Sequence, residues 1–146
     1  MILEDIARFI LGHSGLVWTF GVDFFAGYLP IKDMNDDPVG ARVMVILERT
    51  PGPVIGDLPD RVDKAIQIWN RSDTYEEASL DAQEIFDILH GASGRHLPAG
   101  SSPKAYYAMT IDAIADPAPI AAPNARGLFE FSTNYIFRIE GEPATP

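Results

Sequence analysis

The sequence predicts an α+β domain: a mostly antiparallel β-sheet packed by an N-terminal helix and one longer central helix. Three patterns carry this expectation. Phe129, Phe131, Thr133, Tyr135, Phe137 and Ile139 alternate with Glu130, Ser132, Asn134 and Arg138, which is the period of a strand with one buried face and one wet face. Tyr75, Ala78, Ala82, Ile85, Phe86 and Leu89 recur at i, i+3, i+7, i+10, i+11 and i+14, the spacing of an amphipathic helix. Val43-Met44-Val45-Ile46-Leu47 is a continuous apolar run, as in a central strand covered on both faces.

In chain order, Ile2, Leu3, Ile6, Phe9 and Ile10 stand at helical spacing, with Glu4 and Asp5 in the first turn and Gly12 as a stop. Val17 to Ile31 is rich in aromatic and β-branched residues but punctuated by glycines, which predicts one extended segment or bent strand ending at Pro30. Lys32 to Gly40 reads as a turn-rich loop, and Thr50-Pro51-Gly52-Pro53 closes the central strand. Arg61 to Trp69 predicts a further strand, with Val62, Ile66 and Ile68 set against Ala65, Gln67 and Trp69.

Ser72, Asp73 and Thr74 are all competent N-caps for the central helix, Asp73 and Glu76 stand at capping-box spacing, and the helix ends at Gly91. The stretch holding Gly94, Pro98, Gly100 and Pro103 is expected to be a loop. It leads to a strand from Lys104 to Ile114, in which Ala105, Tyr107, Met109 and Ile111 alternate with Tyr106, Ala108, Thr110 and Asp112. Residues 115–127, with Pro117, Pro119 and Pro123, form a connection longer than the usual hairpin loop. Residues 141–146 lose all periodicity and are expected to be mobile. No repeat or linker divides the chain, so 1–146 is expected to form one domain with one core.

The 11 Lys+Arg stand against 21 Asp+Glu, a net charge of −10, which removes the cation excess that draws a protein to phosphate backbones. The absence of cysteine excludes disulfides, thiolate metal sites and thiol nucleophiles. The most apolar stretch, Leu16 to Ile31, is broken by Gly21, Asp23, Gly27 and Pro30 and is too short to span a bilayer, so no membrane partner is expected. Acids stand near the start where a signal peptide carries lysines, and folding in a cytoplasm is expected.

Motifs for catalysis are missing or incomplete. His13, His90 and His96 have no second histidine or carboxylate at i+3 or i+4 to complete a metal pair. Gly12-His13-Ser14-Gly15 and Gly91-Ala92-Ser93-Gly94 fall short of G-x-S-x-G and read as turns. Asp33-x-Asn35-x-Asp37 opens like a calcium loop, but Pro38 takes the glycine position and Met44 the place of the bidentate Glu. No phosphate-binding Gly-rich loop occurs. The chain is therefore expected not to be an enzyme and to need no cofactor.

The central helix carries Asp73, Glu76, Glu77, Asp81, Glu84 and Asp87 as an acidic stripe, expected opposite the apolar one. Like charges at i, i+4 cost about 0.2–0.5 kcal/mol per pair, and Asp87 lies near the negative end of the helix dipole, so the stripe does not serve helix stability. It reads as a solvated face, or as a surface meeting a basic partner, a divalent cation at a subunit contact, or passing DNA.

The succession is specific: a short helix, an aromatic segment ending Tyr28-Leu29-Pro30, the strand Val43-Met44-Val45-Ile46-Leu47-Glu48, and a strand with Ile66-Gln67-Ile68-Trp69-Asn70-Arg71. Then comes the helix from Ser72-Asp73-Thr74-Tyr75-Glu76-Glu77-Ala78 to Ile85-Phe86-Asp87-Ile88-Leu89-His90-Gly91, and last Gly127-Leu128-Phe129-Glu130-Phe131-Ser132-Thr133-Asn134-Tyr135. This order resembles the minor capsid or tail terminator family of long-tailed bacteriophages. The resemblance implies a structural virion subunit that assembles as a ring of six copies at the head-proximal end of the tail tube. Such a ring ends tube polymerisation, meets the tail tube protein and the head-tail connector or neck proteins, and lets DNA pass through its lumen.

Carried to this chain, Asp73, Glu77, Asp81 and Glu84 become candidates for the lumen or a subunit contact, with Arg42, Arg49, Arg61 and Arg71 placed to meet acids of the adjacent copy. Asp116, Pro117, Ile120, Asn124 and Arg126 become candidates for contact with tube or connector. Three alternatives stand beside this reading. One is a neighbouring neck or head-completion protein of related fold. Another is a small acidic ligand-binding module with a pocket of Trp18, Phe24, Phe25, Tyr107 and Phe129. The third is a hydrolase using Asp112 and Glu130.

Overall fold

The computed structural model describes residues 2–13, 17–49, 54–55, 58–97, 106–120 and 127–141. The elements are α1 (Ile2–Leu11), β1 (Phe24–Ala26), β2 (Val43–Glu48), β3 (Val54–Ile55), β4 (Leu58–Ser72), α2 (Tyr75–Leu89), β5 (Ala92–Leu97), β6 (Tyr106–Ala113), β7 (Ala118–Pro119) and β8 (Phe129–Gly141). The strands form one sheet in the order β1-β2-β4-β8-β6-β5, with β3 added to β4 and β7 to β8. Its pairs are antiparallel except that β1 runs parallel to β2. The α+β class and both helices are as the sequence predicts.

Alternation along the two longest strands sorts the chain into two faces. Met44 and Ile46 of β2, Ile66 and Ile68 of β4, and Tyr135, Phe137 and Ile139 of β8 lie in one core with Leu3, Ile6, Ala7 and Ile10 of α1 and Ile85 and Leu89 of α2. Both helices therefore cover the same face. Val43 and Val45 point the other way and cluster with Phe25, Leu29, Val39, Leu47 and Trp69, under the loop that follows β1. That second cluster explains why the run at 43–47 shows no alternation: β2 needs apolar side chains on both faces.

Four local expectations change. Residues 17–31 do not form one strand. The Asp23 carboxylate accepts from the Thr19 amide at 2.7 Å and Gly21 takes φ +86°, so the segment turns and only Phe24–Ala26 joins the sheet. The loop expected around Gly94 contains β5, which pairs with β6 and accommodates Gly94 at φ +63°. Alternation in β6 changes phase at an irregularity between Ala108 and Thr110, so Ala108 and Ile111, three residues apart, are both fully buried.

The connection 115–127 is shorter than its sequence suggests. The Ile114 and Ile120 amides donate to the Asn134 and Glu130 carbonyls, and β7 pairs with Phe131 and Ser132 along the same side of β8 that β6 occupies. Residues 98–105, 121–126 and 142–146 lie outside the described residues, so the expected mobile tail is described only at Gly141, where β8 ends.

Candidate interaction surfaces

The local sequence around α2 dictates the first surface. Thr74 is the N-cap chosen from the three candidates, its hydroxyl accepting from the Glu77 amide at 3.2 Å. From that start, a helical step of 100° places Asp81 in phase with Ala78, Ala82 and Ile85, and Asp81 is 5% exposed. It does not belong to a solvated stripe. Arg42, just ahead of β2, reaches it with a fork of two bonds, Nε to Oδ2 at 2.9 Å and Nη2 to Oδ1 at 2.7 Å.

The same guanidinium lies 3.2 Å from a Glu77 carboxylate oxygen and 4.4 Å from the centroid of the Trp18 ring. The Asp81 hydrogen bond, against the opposing effect of burial, raises the Arg42 pKa further above its already high value. Arg71 braces this arrangement from the neighbouring strand, its Nε and Nη2 donating to the Ala41 and Gly40 carbonyls at 3.0 and 2.9 Å. Arg42 and Arg71 thus bind groups of their own subunit. An inward carboxylate on α2 requires a cation, and the residue ahead of β2 supplies it.

A cleft of about 410 Å³ opens beside this clasp, lined by Arg42, Thr74, Glu76, Glu77, Leu80 and Asp81. Asp73, Glu76, Glu77, Glu84 and Asp87 remain exposed, and Leu80 among them is 61% exposed. The cleft carries three carboxylates and one guanidinium, so it favours cationic over anionic visitors.

The second surface lies on the helix-free face. Leu29, Val45, Leu47 and Trp69 line an apolar cleft of about 290 Å³. Tyr28, Ile31 and Met34, on the loop that contributes Leu29, are exposed, Ile31 at 89%. The Asp33 carboxylate orders that loop by accepting from the amides of Asn35 and Asp37 at 2.8 and 3.1 Å, which accounts for the calcium-like spacing as a turn. Arg49 is exposed at the end of β2, 3.5 Å from the Gln67 side chain.

The other sequence-predicted residues are dispersed. Arg61 sits in β4 opposite Glu140, and its side chain lies outside the described residues. Asp116 and Ile120 are exposed and Pro117 is half-buried, while Asn124 and Arg126 lie outside the described residues.

The aromatic pocket does not assemble. Trp18 and Phe24 are in the core under the helices, Phe25 is on the opposite face, Phe129 packs with Ala78, Ala82 and Phe131, and the Tyr107 side chain is not described. Nor are the carboxylates of the hydrolase alternative brought together. Asp112 pairs with Arg138 at 2.8 Å and stands in register with Ile136, six residues along β8 from Glu130 and so about 20 Å away.

His13 Nδ1 lies 3.0 Å from the Phe9 carbonyl, and His90 stacks on Phe86 while its Nδ1 accepts from the Ala113 amide. Among the described residues no three His, Asp or Glu side chains group as a metal site.

No family model matches the chain, and no curated protein matches it. Sequence reasoning missed two things in particular. The buried position of Asp81 was legible in its phase with Ala78 and Ile85, but the helix-free cleft has no local signal, since Leu29, Val45 and Trp69 meet only through sheet pairing and a folded loop.

Proposed function

We propose that the chain is a non-catalytic virion protein of a long-tailed bacteriophage, one subunit of a six-copy ring at the head-proximal end of the tail tube. The ring ends tube polymerisation and joins the tail to the connector or neck proteins of the head. Assembly takes place in the host cytoplasm, and the reading requires no cofactor, a divalent cation entering only at a subunit contact.

The observation that carries this reading is the helix-free face of the sheet. An apolar cleft bounded by Leu29, Leu47 and Trp69, with Tyr28, Ile31 and Met34 exposed on the adjoining loop, is the kind of surface that marks a contact with another protein. The exposed acids of α2 suit a lumen wall, because they repel a passing phosphate backbone.

Native mass spectrometry over a concentration series, with and without magnesium, tests the reading. A closed assembly of six times the chain mass supports it, and a concentration-independent dimer overturns it. Electron micrographs of tail tubes grown with the protein test its place in the virion: tubes capped at one end are expected, and unaltered tubes would argue for a different neck position.

A further inference from the structure

The ridge of α2 that faces solvent carries an exposed leucine between acids, and the opposite face of the sheet carries an apolar cleft with an exposed arginine on the strand that lines it. Leu80 projects from the helix with Glu76 one turn before it and Glu84 one turn after, all three exposed. The cleft of Leu29, Val45, Leu47 and Trp69 is apolar and about 290 Å³ in volume. Arg49 lies two residues beyond Leu47 on the same face as Leu47, exposed, and among the described residues its side chain makes a long 3.5 Å contact to Gln67. One surface is thus an apolar knob between two anions, and the other an apolar hole with a cation at its rim.

We infer that Leu80 of one copy seats in the Leu29–Leu47–Trp69 cleft of the next, with Glu76 or Glu84 meeting Arg49 across the contact. A second copy is the favoured occupant because the described residues lining the cleft are all apolar, without the convergent polar groups that orient a small ligand, while the complementary acids stand on the same chain. The helix and the cleft are on opposite faces of one sheet, so no subunit can fill its own cleft. Two different patches meeting head to tail form a heterologous contact, which makes a ring where the rotation between copies closes and an open filament where it does not. Tyr28 and Ile31 enlarge the receiving surface toward the roughly 800 Å² per partner of a stable interface. The inference rests on the ring reading and specifies its contact.

The test uses two variants of the full chain. Leu80→Lys blocks the knob at an exposed site, and Leu29→Glu with Arg49→Glu blocks the hole. Each alone is expected to lose assemblies larger than a monomer, with the circular dichroism spectrum unchanged. Mixed at equal concentration they are expected to form a one-to-one dimer and nothing larger, since one intact knob and one intact hole remain.

If the double variant fails to fold, Arg49→Glu alone is expected to weaken assembly about tenfold, and adding Glu76→Arg and Glu84→Arg to restore it. A ring that survives both blocking variants overturns this contact and leaves the ring reading standing. Loss of assembly in the cleft variant but not in Leu80→Lys overturns it in favour of cleft-to-cleft stacking. A wild type that never exceeds a monomer, together with a mixture that forms no dimer, overturns both.

Discussion

Arg42 and Asp81, 39 residues apart, form a two-bond fork of 2.7 and 2.9 Å that fastens α2 to the chain entering β2. The Asp81 side chain is 7% exposed and that of Arg42 37% exposed, so the pair is shielded on the acid side and partly hydrated on the basic side. Removing the acid leaves Arg42 with Glu77 and the Trp18 ring. Asp81→Ala is expected to lower stability by about 1–3 kcal/mol, since it breaks a charged hydrogen bond at a largely desolvated site. Glu77→Ala, at an exposed acid, is expected to cost less than about 1 kcal/mol. Urea denaturation of the two variants measures both, and an equal effect would contradict the geometry.

Helix α2 begins at Thr74, whose hydroxyl satisfies the Glu77 amide. Thr74→Ala should cost about 1 kcal/mol, while Asp73→Ala, away from the cap, should cost far less. Thermal melts separate the two.

Tyr135 is fully buried, and burial pushes its phenol above the ordinary range, reinforced by the Asp87 carboxylate and opposed by Thr133. The unfolded phenol ionises near pH 10, at about the model-peptide value. Because the folded value is raised, the stabilisation is fully present below about pH 10 and is lost as pH rises above it. Chemical denaturation between pH 8 and 11 is expected to show a fall in stability that Tyr135→Phe reduces.

Gly21 adopts φ +86°, and a Cβ there would come within 2.7 Å of Met34 Sδ. Its carbonyl also accepts from the Met34 amide at 2.9 Å, so the turn before β1 and the exposed loop after it are joined at this point. Gly21→Ala is expected to destabilise by about 1–2 kcal/mol and to increase amide exchange in the loop around Met34.

The acidic ridge calls for a charge reversal that leaves Asp81 alone, because a lysine at 81 would face Arg42 and unfold the clasp. Asp73→Lys with Glu76→Lys and Glu84→Lys changes only exposed positions. This variant is expected to keep its circular dichroism spectrum and melting temperature within a few degrees while losing ring formation. Rings that form as in the wild type would remove the ridge from the assembly contact.

Much of this architecture is written locally in the chain. The alternation from Phe129 to Ile139, the helical spacing from Ala78 to Leu89 and the two-sided apolar run at 43–47 follow from the geometry of a strand or helix beside a core, so residue order alone determined the α+β class and which faces are buried. Other features depend on partners distant in sequence. β5 exists because β6 offers it hydrogen bonds despite Gly94, and the cation that neutralises the inward Asp81 is there because the fold brings Arg42 beside it. The helix-free cleft arises because β2 and β4 pair in one register and the loop carrying Leu29 folds across them. Backbone pairing and ion pairing take their energy from groups that only the folded chain brings within bonding distance, and so tertiary structure decided them.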